Sequence, residues 1–105
     1  MRKLTLALLS MIAIAQAAEV KVAAVSFDPQ SHQLDNNIAG IVNSAIIASQ
    51  KGAKLIVFPE HSSSGFAYLS LEDVTPSLDT IPGKVTSSLE KVTKKYHTYV
   101  AVGIQ

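Results

Sequence analysis

Glu60 is the residue of this sequence that is best placed to do chemistry. It follows Pro59 at the end of the apolar run Lys54 to Phe58, which has the composition of a buried strand. In open α/β sheets, ligands bind beyond the carboxyl ends of the strands. A carboxylate at that place, partly shielded by Phe58 and Phe66, can act as a general base. Position alone nevertheless favours an ordinary solvated glutamate, so this assignment needs support from the surrounding residues.

The polar residues near Glu60 do not form another reactive motif. His61 could tune the neighbouring carboxylate, but a histidine in a loop is more often solvated. The run Ser62 to Gly65 is not a nucleophile elbow, because no glycine precedes a central serine. It also lacks the Gly-Lys-Ser/Thr ending of a phosphate-binding loop. His32 and His97 have no ligand-like neighbours in sequence, so we predict no metal site.

Two strands and a helix are predicted to position Glu60. Val20 to Phe27 is apolar and rich in β-branched residues, which predicts a strand that ends at Asp28. A stripe of apolar residues then recurs at helical spacing: Leu34, Ile38, Ile41, Ala45 and Ala48. It predicts a helix from about Asp35 to Lys51, with Gly52 as its left-handed stop. The run from Lys54 to Phe58 predicts a strand that is covered on both faces. The order strand, helix, strand predicts a βαβ unit with parallel strands and a right-handed crossover.

The alternation of strand and helix continues to the end of the sequence. Glu72 to Pro82 holds two prolines and no apolar period, so we expect a loop that can include one short turn. A second amphipathic helix is marked by Val85, Leu89, Val92 and Tyr96. Tyr99 to Ile104 predicts a third strand. The predicted fold class is therefore α/β with the order β-α-β-α-β, with bare strand edges and uncovered helix-facing surface, which indicates an interrupted domain.

Four motifs in this order resemble those of the nitrilase superfamily of carbon–nitrogen hydrolases. They are Val22-Ala23-Ala24-Val25, Asn36-Asn37-Ile38, Phe58-Pro59-Glu60 with Gly65-Phe66 after it, and Ile81-Pro82-Gly83 followed by Tyr99 to Ile104. Each motif is weak alone, but their order and spacing together are fairly specific. The resemblance covers residues 18–105 almost end to end. It favours a functional carboxylate at Glu60 over a solvated one.

The resemblance implies a four-layer α-β-β-α sandwich with a Glu-Lys-Cys triad. Glu60 is then the general base toward a cysteine thiol, because a thiol is a poor nucleophile until it is deprotonated. The resemblance favours a small amide over a nitrile as substrate, since amidases are the commoner members, and it implies no cofactor and no metal. Phe66 matches a position whose ring often lines the substrate pocket, although packing in the core explains a phenylalanine there equally well.

The sequence departs from that family pattern at the other two members of the triad. It contains no cysteine. Its lysines near the second predicted helix, from Lys84 to Lys95, do not match the family's lysine motif. We therefore expect residues 18–105 to be the N-terminal part of an incomplete domain, inactive alone. The alternatives are a non-catalytic remnant or interaction module of the same fold and, less favoured, an N-acyltransferase relative with several membrane-spanning helices.

The first residues have the order of a secretory signal. Met1 to Lys3 is basic, Leu4 to Ala15 is almost wholly apolar, and Ala15-Gln16-Ala17 offers small residues at the two cleavage positions. The apolar run is too short for a spanning helix, which needs about 20 residues. We expect residues 1–17 to be a cleaved signal peptide and the protein to be periplasmic or secreted, without a stable membrane anchor. The alternative is a buried N-terminal helix.

The charge balance argues against one class of partner. Removal of Arg2 and Lys3 would take the basic side chains from nine to seven, against eight acidic ones, which leaves a net charge of −1. Nucleic-acid-binding proteins usually carry a basic stripe, so we expect no nucleic acid. The partners that the resemblance implies are a small-molecule amide or nitrile and, in a full-length protein, other copies of the same chain.

Overall fold

The structure is a computed structural model that describes residues 17–105. In chain order its elements are β1 (Val22–Ala24), α1 (Leu34–Gln50), β2 (Leu55–Val57), α2 (Leu71–Val74), a 3-10 turn (Thr75–Ser77), α3 (Lys84–Tyr96) and β3 (Tyr99–Ala101). The α/β class expected from the sequence is confirmed. The expected signal peptide lies outside the described residues except for its last one, Ala17. Within the described part of the chain, no helix combines the length and the apolar character needed to cross a bilayer.

The three strands form one parallel sheet in the order β1-β2-β3. Ala23 of β1 lies opposite Ile56 of β2, which in turn lies opposite Val100 of β3. Past the end of β2, the amide of Phe58 still donates to the carbonyl of Ala101 over 2.8 Å. The chain therefore remains attached to the sheet up to the residue before Pro59-Glu60.

The core lies between one face of the sheet and the two long helices, which pack side by side. The side chains of Ile41, Ile56 and Val85 are completely buried there, one from each of α1, β2 and α3. Full burial of an apolar side chain of this size contributes about 1.5–3 kcal/mol. The stripe predicted on α1 is the stripe that faces this core.

The opposite face of the sheet is bare within residues 17–105. Val22, Leu55, Val57 and Tyr99 are exposed on it. The prediction that β2 is covered on both faces was wrong for these residues, because alternation along a strand turns Leu55 and Val57 away from Ile56 and the helices. The sequence also predicted that the helix-facing side of the sheet would be uncovered. That prediction was wrong, because the helices cover this side and the opposite side is bare.

Element boundaries differ from the predictions in two places. Each strand is three residues long. This is shorter than the apolar runs that predicted them, because β2 ends near Pro59, which cannot donate to a ladder, and its neighbours pair only along its length. The expected loop from Glu72 to Pro82 is partly helical, because the Ser70 side chain accepts a hydrogen bond from the amide of Asp73 over 3.1 Å and caps α2. Gly52 has a φ of 92°, as the predicted helix stop requires.

Candidate active site

Glu60 lies just beyond the carboxyl end of the central strand, at the edge of the sheet where the sequence places it. Its side chain is 87% exposed. The partial shielding by Phe58 and Phe66 is not found in the described residues. Phe58 is buried with its ring edge-on to Phe27 at 6.0 Å between centroids, and Phe66 is 74% exposed. The carboxylate is therefore accessible to a ligand at this edge of the sheet.

His61 makes the contact that the structure records to the carboxylate of Glu60. Its Nε2 atom lies 3.4 Å from Oε1 of Glu60, and its side chain is 35% exposed. A contact this long to a largely exposed carboxylate contributes little energy. The backbone of His61 is left-handed, with φ of 53°, a conformation that histidine adopts more readily than most residues. It turns the chain away from the sheet immediately after Glu60.

The turn that follows is polar in sequence but buried in the structure. Ser62, Ser63 and Ser64 have no exposed surface. The hydroxyl of Ser62 donates to the carbonyl of Pro59 over 2.6 Å, and the amide of Gly65 donates to the carbonyl of His61 over 2.8 Å. Serine is ordinarily exposed, so this polar run predicts a loop and not a buried turn. Its small size, which lets the turn fold back into the protein, was the missed signal.

A cleft of about 500 Å³ lies beside this turn. Its walls are formed by His61, Phe66, Tyr68, Leu69, Ser70, Leu71, Val74 and Gln105. His61 is therefore shared between the cleft and the carboxylate of Glu60. Phe66, predicted either to line a pocket or to pack in the core, lies in the wall of this cleft. Most of the wall is apolar, which suits the non-reacting part of a small organic molecule.

A second contact holds the cleft wall to the loop before α1. Nε2 of His32 lies 2.8 Å from Oδ1 of Asp73, and the amide of His32 donates to the hydroxyl of Tyr68 over 3.2 Å. The amide of Leu69 and then the side chain of His32 lower the pKa of the Asp73 carboxyl below its ordinary value. Asp73 is thus charged in the neutral range and joins the wall residue Leu69, whose amide donates to it, to His32 of that loop, while Tyr68 is held by the amide of His32.

The remaining charged groups do not gather around Glu60 in a metal-binding arrangement. Across residues 17–105 there is no group of three or more histidine, aspartate, glutamate or cysteine residues that could hold a metal ion. Lys84 pairs with Asp35 of α1 over 3.2 Å, and Lys94 pairs with Glu90 over 2.7 Å within α3. These lysines make contacts on the helices.

Comparison with known proteins agrees with the α/β fold of the chain. Residues 12–105 match the family model described as carbon-nitrogen hydrolase. The chain is also similar to a curated protein named "Nitrilase" from Pyrococcus abyssi (strain GE5 / Orsay), with 33% identity over 85 residues. The aligned region covers 80% of this chain and 32% of the relative, so the chain spans about a third of that protein's length. Because the family model matches most of the sequence, the chain belongs to the carbon–nitrogen hydrolase family.

Proposed function

We propose that this chain forms part of an enzyme that hydrolyses the carbon–nitrogen bond of a small amide, with Glu60 as general base. The observation that carries the proposal is the placement of Glu60. Its backbone follows directly from the central strand, and its carboxylate projects from the sheet edge at which α/β proteins bind ligands. The family membership of the chain supports the same reaction class.

The proposed chemistry begins with a proton transfer to Glu60. The carboxylate takes the proton of a cysteine thiol, and the thiolate attacks the carbonyl carbon of the amide. A lysine stabilises the negative charge that develops on the carbonyl oxygen. As the carbon–nitrogen bond breaks, Glu60 gives its proton to the nitrogen, so that ammonia leaves and a thioester forms. Glu60 then takes a proton from the water that attacks the thioester and gives it to the departing thiolate, which yields the carboxylic acid and the free thiol. The sequence contains no cysteine, so the nucleophile must come from residues outside these 105.

The cleft beside Glu60 is the proposed place for the non-reacting part of the substrate. The wall residues Phe66, Leu69 and Leu71 are apolar, and His61 connects them to the carboxylate. A nitrile is the second candidate substrate, supported by the name of the Pyrococcus relative. A nitrile and an amide both present an electrophilic carbon attached to nitrogen, so the same base would serve either.

We further propose that the protein is exported and that Ala18 becomes its first residue. The support is the basic, apolar and small-residue order of residues 1–17. Mass spectrometry of the protein from its native host measures this directly. A mature chain that retains Met1 to Ala17 would contradict export by a cleaved signal.

The absence of cysteine from these residues favours one other candidate function, a non-catalytic interaction module of the same fold. The two candidates differ in what the longest reading frame that contains this sequence encodes. A reading frame that supplies a cysteine supports the hydrolase. One that supplies none removes the hydrolase proposal and leaves the interaction module.

The experiment on Glu60 compares two forms of the protein. The 105-residue chain should release no ammonia from small amides, because it has no thiol. The cysteine-bearing form should release ammonia, and Glu60→Gln should lower its kcat by about 100-fold or more, the usual contribution of a general base. The circular dichroism spectrum should not change, because the Glu60 side chain is 87% exposed.

Glu72→Gln is the matched control, since Glu72 is also an exposed glutamate and lies on α2 near the cleft. It should retain wild-type turnover. Turnover by the 105-residue chain would contradict the proposed cysteine mechanism, because this chain has no thiol. Turnover by the Glu60→Gln variant at the wild-type rate would remove Glu60 from the mechanism.

A further inference from the structure

Ser63 lies in the buried turn that Glu60 opens, and its backbone is held from two sides. Its amide donates to the carbonyl of Gly103, just past β3, over 3.3 Å. Its carbonyl accepts a hydrogen bond from Nδ2 of Asn37, on α1, over 3.0 Å. Both backbone polar groups of one residue are therefore bound by elements outside the turn. A turn held in this way cannot shift without breaking a hydrogen bond to another element.

Asn37 is suited to this role because its side chain is itself fixed. It is 4% exposed. Its Nδ2 atom also donates to the carbonyl of Gln30 over 2.7 Å, and its Oδ1 atom accepts from the amide of Gln30 over 2.9 Å. The donor end thus faces two carbonyls and the acceptor end faces an amide, so neither a flipped amide nor an aspartate could make all three bonds.

Gly103 holds the same turn by close approach. A Cβ atom at this position would lie 2.8 Å from Cα of Glu60, 2.7 Å from the amide nitrogen of His61 and 2.8 Å from the carbonyl oxygen of Pro59. Real Cβ atoms do not come this close to backbone atoms, and backbone atoms cannot swing aside as the end of a side chain can. Only glycine lets the chain after β3 run against Glu60 in this way.

We propose that Asn37 and Gly103 are positioning residues for Glu60. The inference rests on the proposed role of Glu60 as a base. The Glu60 carboxylate is largely exposed and has only its long contact to His61 among the described residues, so its location is set through its Cα atom. A displacement of about 1 Å at a reacting group can cost about 100-fold in rate, so contacts that fix this Cα control the proton transfer.

The first arm of the test measures how well the turn is protected from hydrogen exchange in the 105-residue chain, and it needs no catalytic activity. Amide hydrogen exchange is followed by NMR in Asn37→Ser and Gly103→Ala. Loss of a buried hydrogen bond should make the amides of Ser63 and Gly65 exchange about tenfold faster, relative to any change in the core of α3. The two variants disturb the turn from opposite sides, so one remains informative if the other does not fold.

Matched controls separate positioning from a general loss of stability. Asn36→Ser removes the neighbouring asparagine, whose side chain is exposed and bonds only to Gln33 among the described residues. Gly40→Ala adds a Cβ atom 2.8 Å from the ring of Phe27, a side chain that can shift, so it controls for an added methyl group without a clash against backbone atoms. Neither control should speed exchange in the turn more than in α3. Unchanged relative exchange in both test variants overturns the inference, whatever the catalytic result.

The second arm uses the cysteine-bearing form of the protein. Asn37→Ser and Gly103→Ala should lower kcat by about 100-fold with little change in KM, because substrate contacts in the cleft remain. Faster exchange in the turn with wild-type kcat would refute a role in positioning Glu60. Faster exchange in a protein whose unmutated form has no turnover would instead refute the proposed hydrolase function and leave the contacts to the turn established.

Discussion

Removal of the Asp79 side chain should lower the free energy of unfolding by a measurable amount that depends on pH. Its carboxylate accepts hydrogen bonds from the amides of Lys84, over 3.1 Å, and Val85, over 2.8 Å, at the start of α3. These amides have no partner within the helix, because the first turn of any α-helix leaves its amides free. We therefore expect Asp79→Ala to destabilise the helix that closes one side of the core.

The size of this effect follows from the two hydrogen bonds. Loss of a side chain that caps helix amides costs about 1 kcal/mol, and a charged acceptor with two partners raises this to about 2 kcal/mol. For a domain of this length, such a change lowers Tm by roughly 8–16 °C. Asp79→Asn retains one acceptor oxygen without the charge and should cost about half as much.

The pH dependence of this destabilisation tests whether the negative charge of Asp79 is what stabilises the start of α3. Burial alone would raise the pKa of the Asp79 carboxyl, but the amides of Val85, Lys84 and Thr80, together with the charge of Lys84, lower it below its ordinary value. A lowered pKa means that the contribution is fully present above the unfolded value, about pH 4, and is lost as the pH falls through the folded value. The cost of Asp79→Ala should therefore shrink in acid.

Urea denaturation followed by circular dichroism at pH 7 and near pH 3 measures both effects. Asp35→Ala is the control, because Asp35 makes an exposed ion pair with Lys84 that should contribute less than about 1 kcal/mol. An equal cost of Asp79→Ala at the two pH values, or a cost no larger than that of the control, would refute this account of the α3 N-terminus.

Two further substitutions are tested by the same denaturation experiment. Ile56→Ala should lower the free energy of unfolding by about 4 kcal/mol, because this completely buried side chain lies in the central strand against both helices. Leu55 lies on the exposed face of the same strand. An equal loss of stability in Leu55→Ala would contradict the assignment of the core. Ser63→Ala should raise stability by about 1 kcal/mol, because the buried Ser63 hydroxyl has no hydrogen-bond partner among residues 17–105; a loss of stability would mean that the hydroxyl has one.

Helices could be predicted from this sequence more completely than the environment of the strands. The apolar stripe of α1 predicted a helix from about Asp35 to Lys51, and the structure has Leu34–Gln50. The agreement arises because one helical face must be apolar to pack on a sheet. A continuous apolar strand, by contrast, looks the same whether one or both of its faces are covered. The exposure of Leu55 and Val57 was therefore not predictable from their own segment.

The candidate site was predictable in its central residue but not in the residues that hold it. Pro59-Glu60 after an apolar run is a local signal, and it placed Glu60 correctly at the end of β2. The bond from Asn37 to Ser63 joins residues separated by 26 positions. The approach of Gly103 to Glu60 also depends on how β3 pairs with β2. Neither contact leaves a pattern in the neighbouring sequence, because both arise only when distant segments meet.

The strand order has a consequence for how the protein can form during synthesis. Since β1, β2 and β3 lie side by side in the order in which a ribosome makes them, each new strand can add to the free edge left by the previous one. No strand has to be inserted between two that have already paired. We expect this part of the molecule to gain structure progressively as it emerges, with each helix folding over the newest pair of strands.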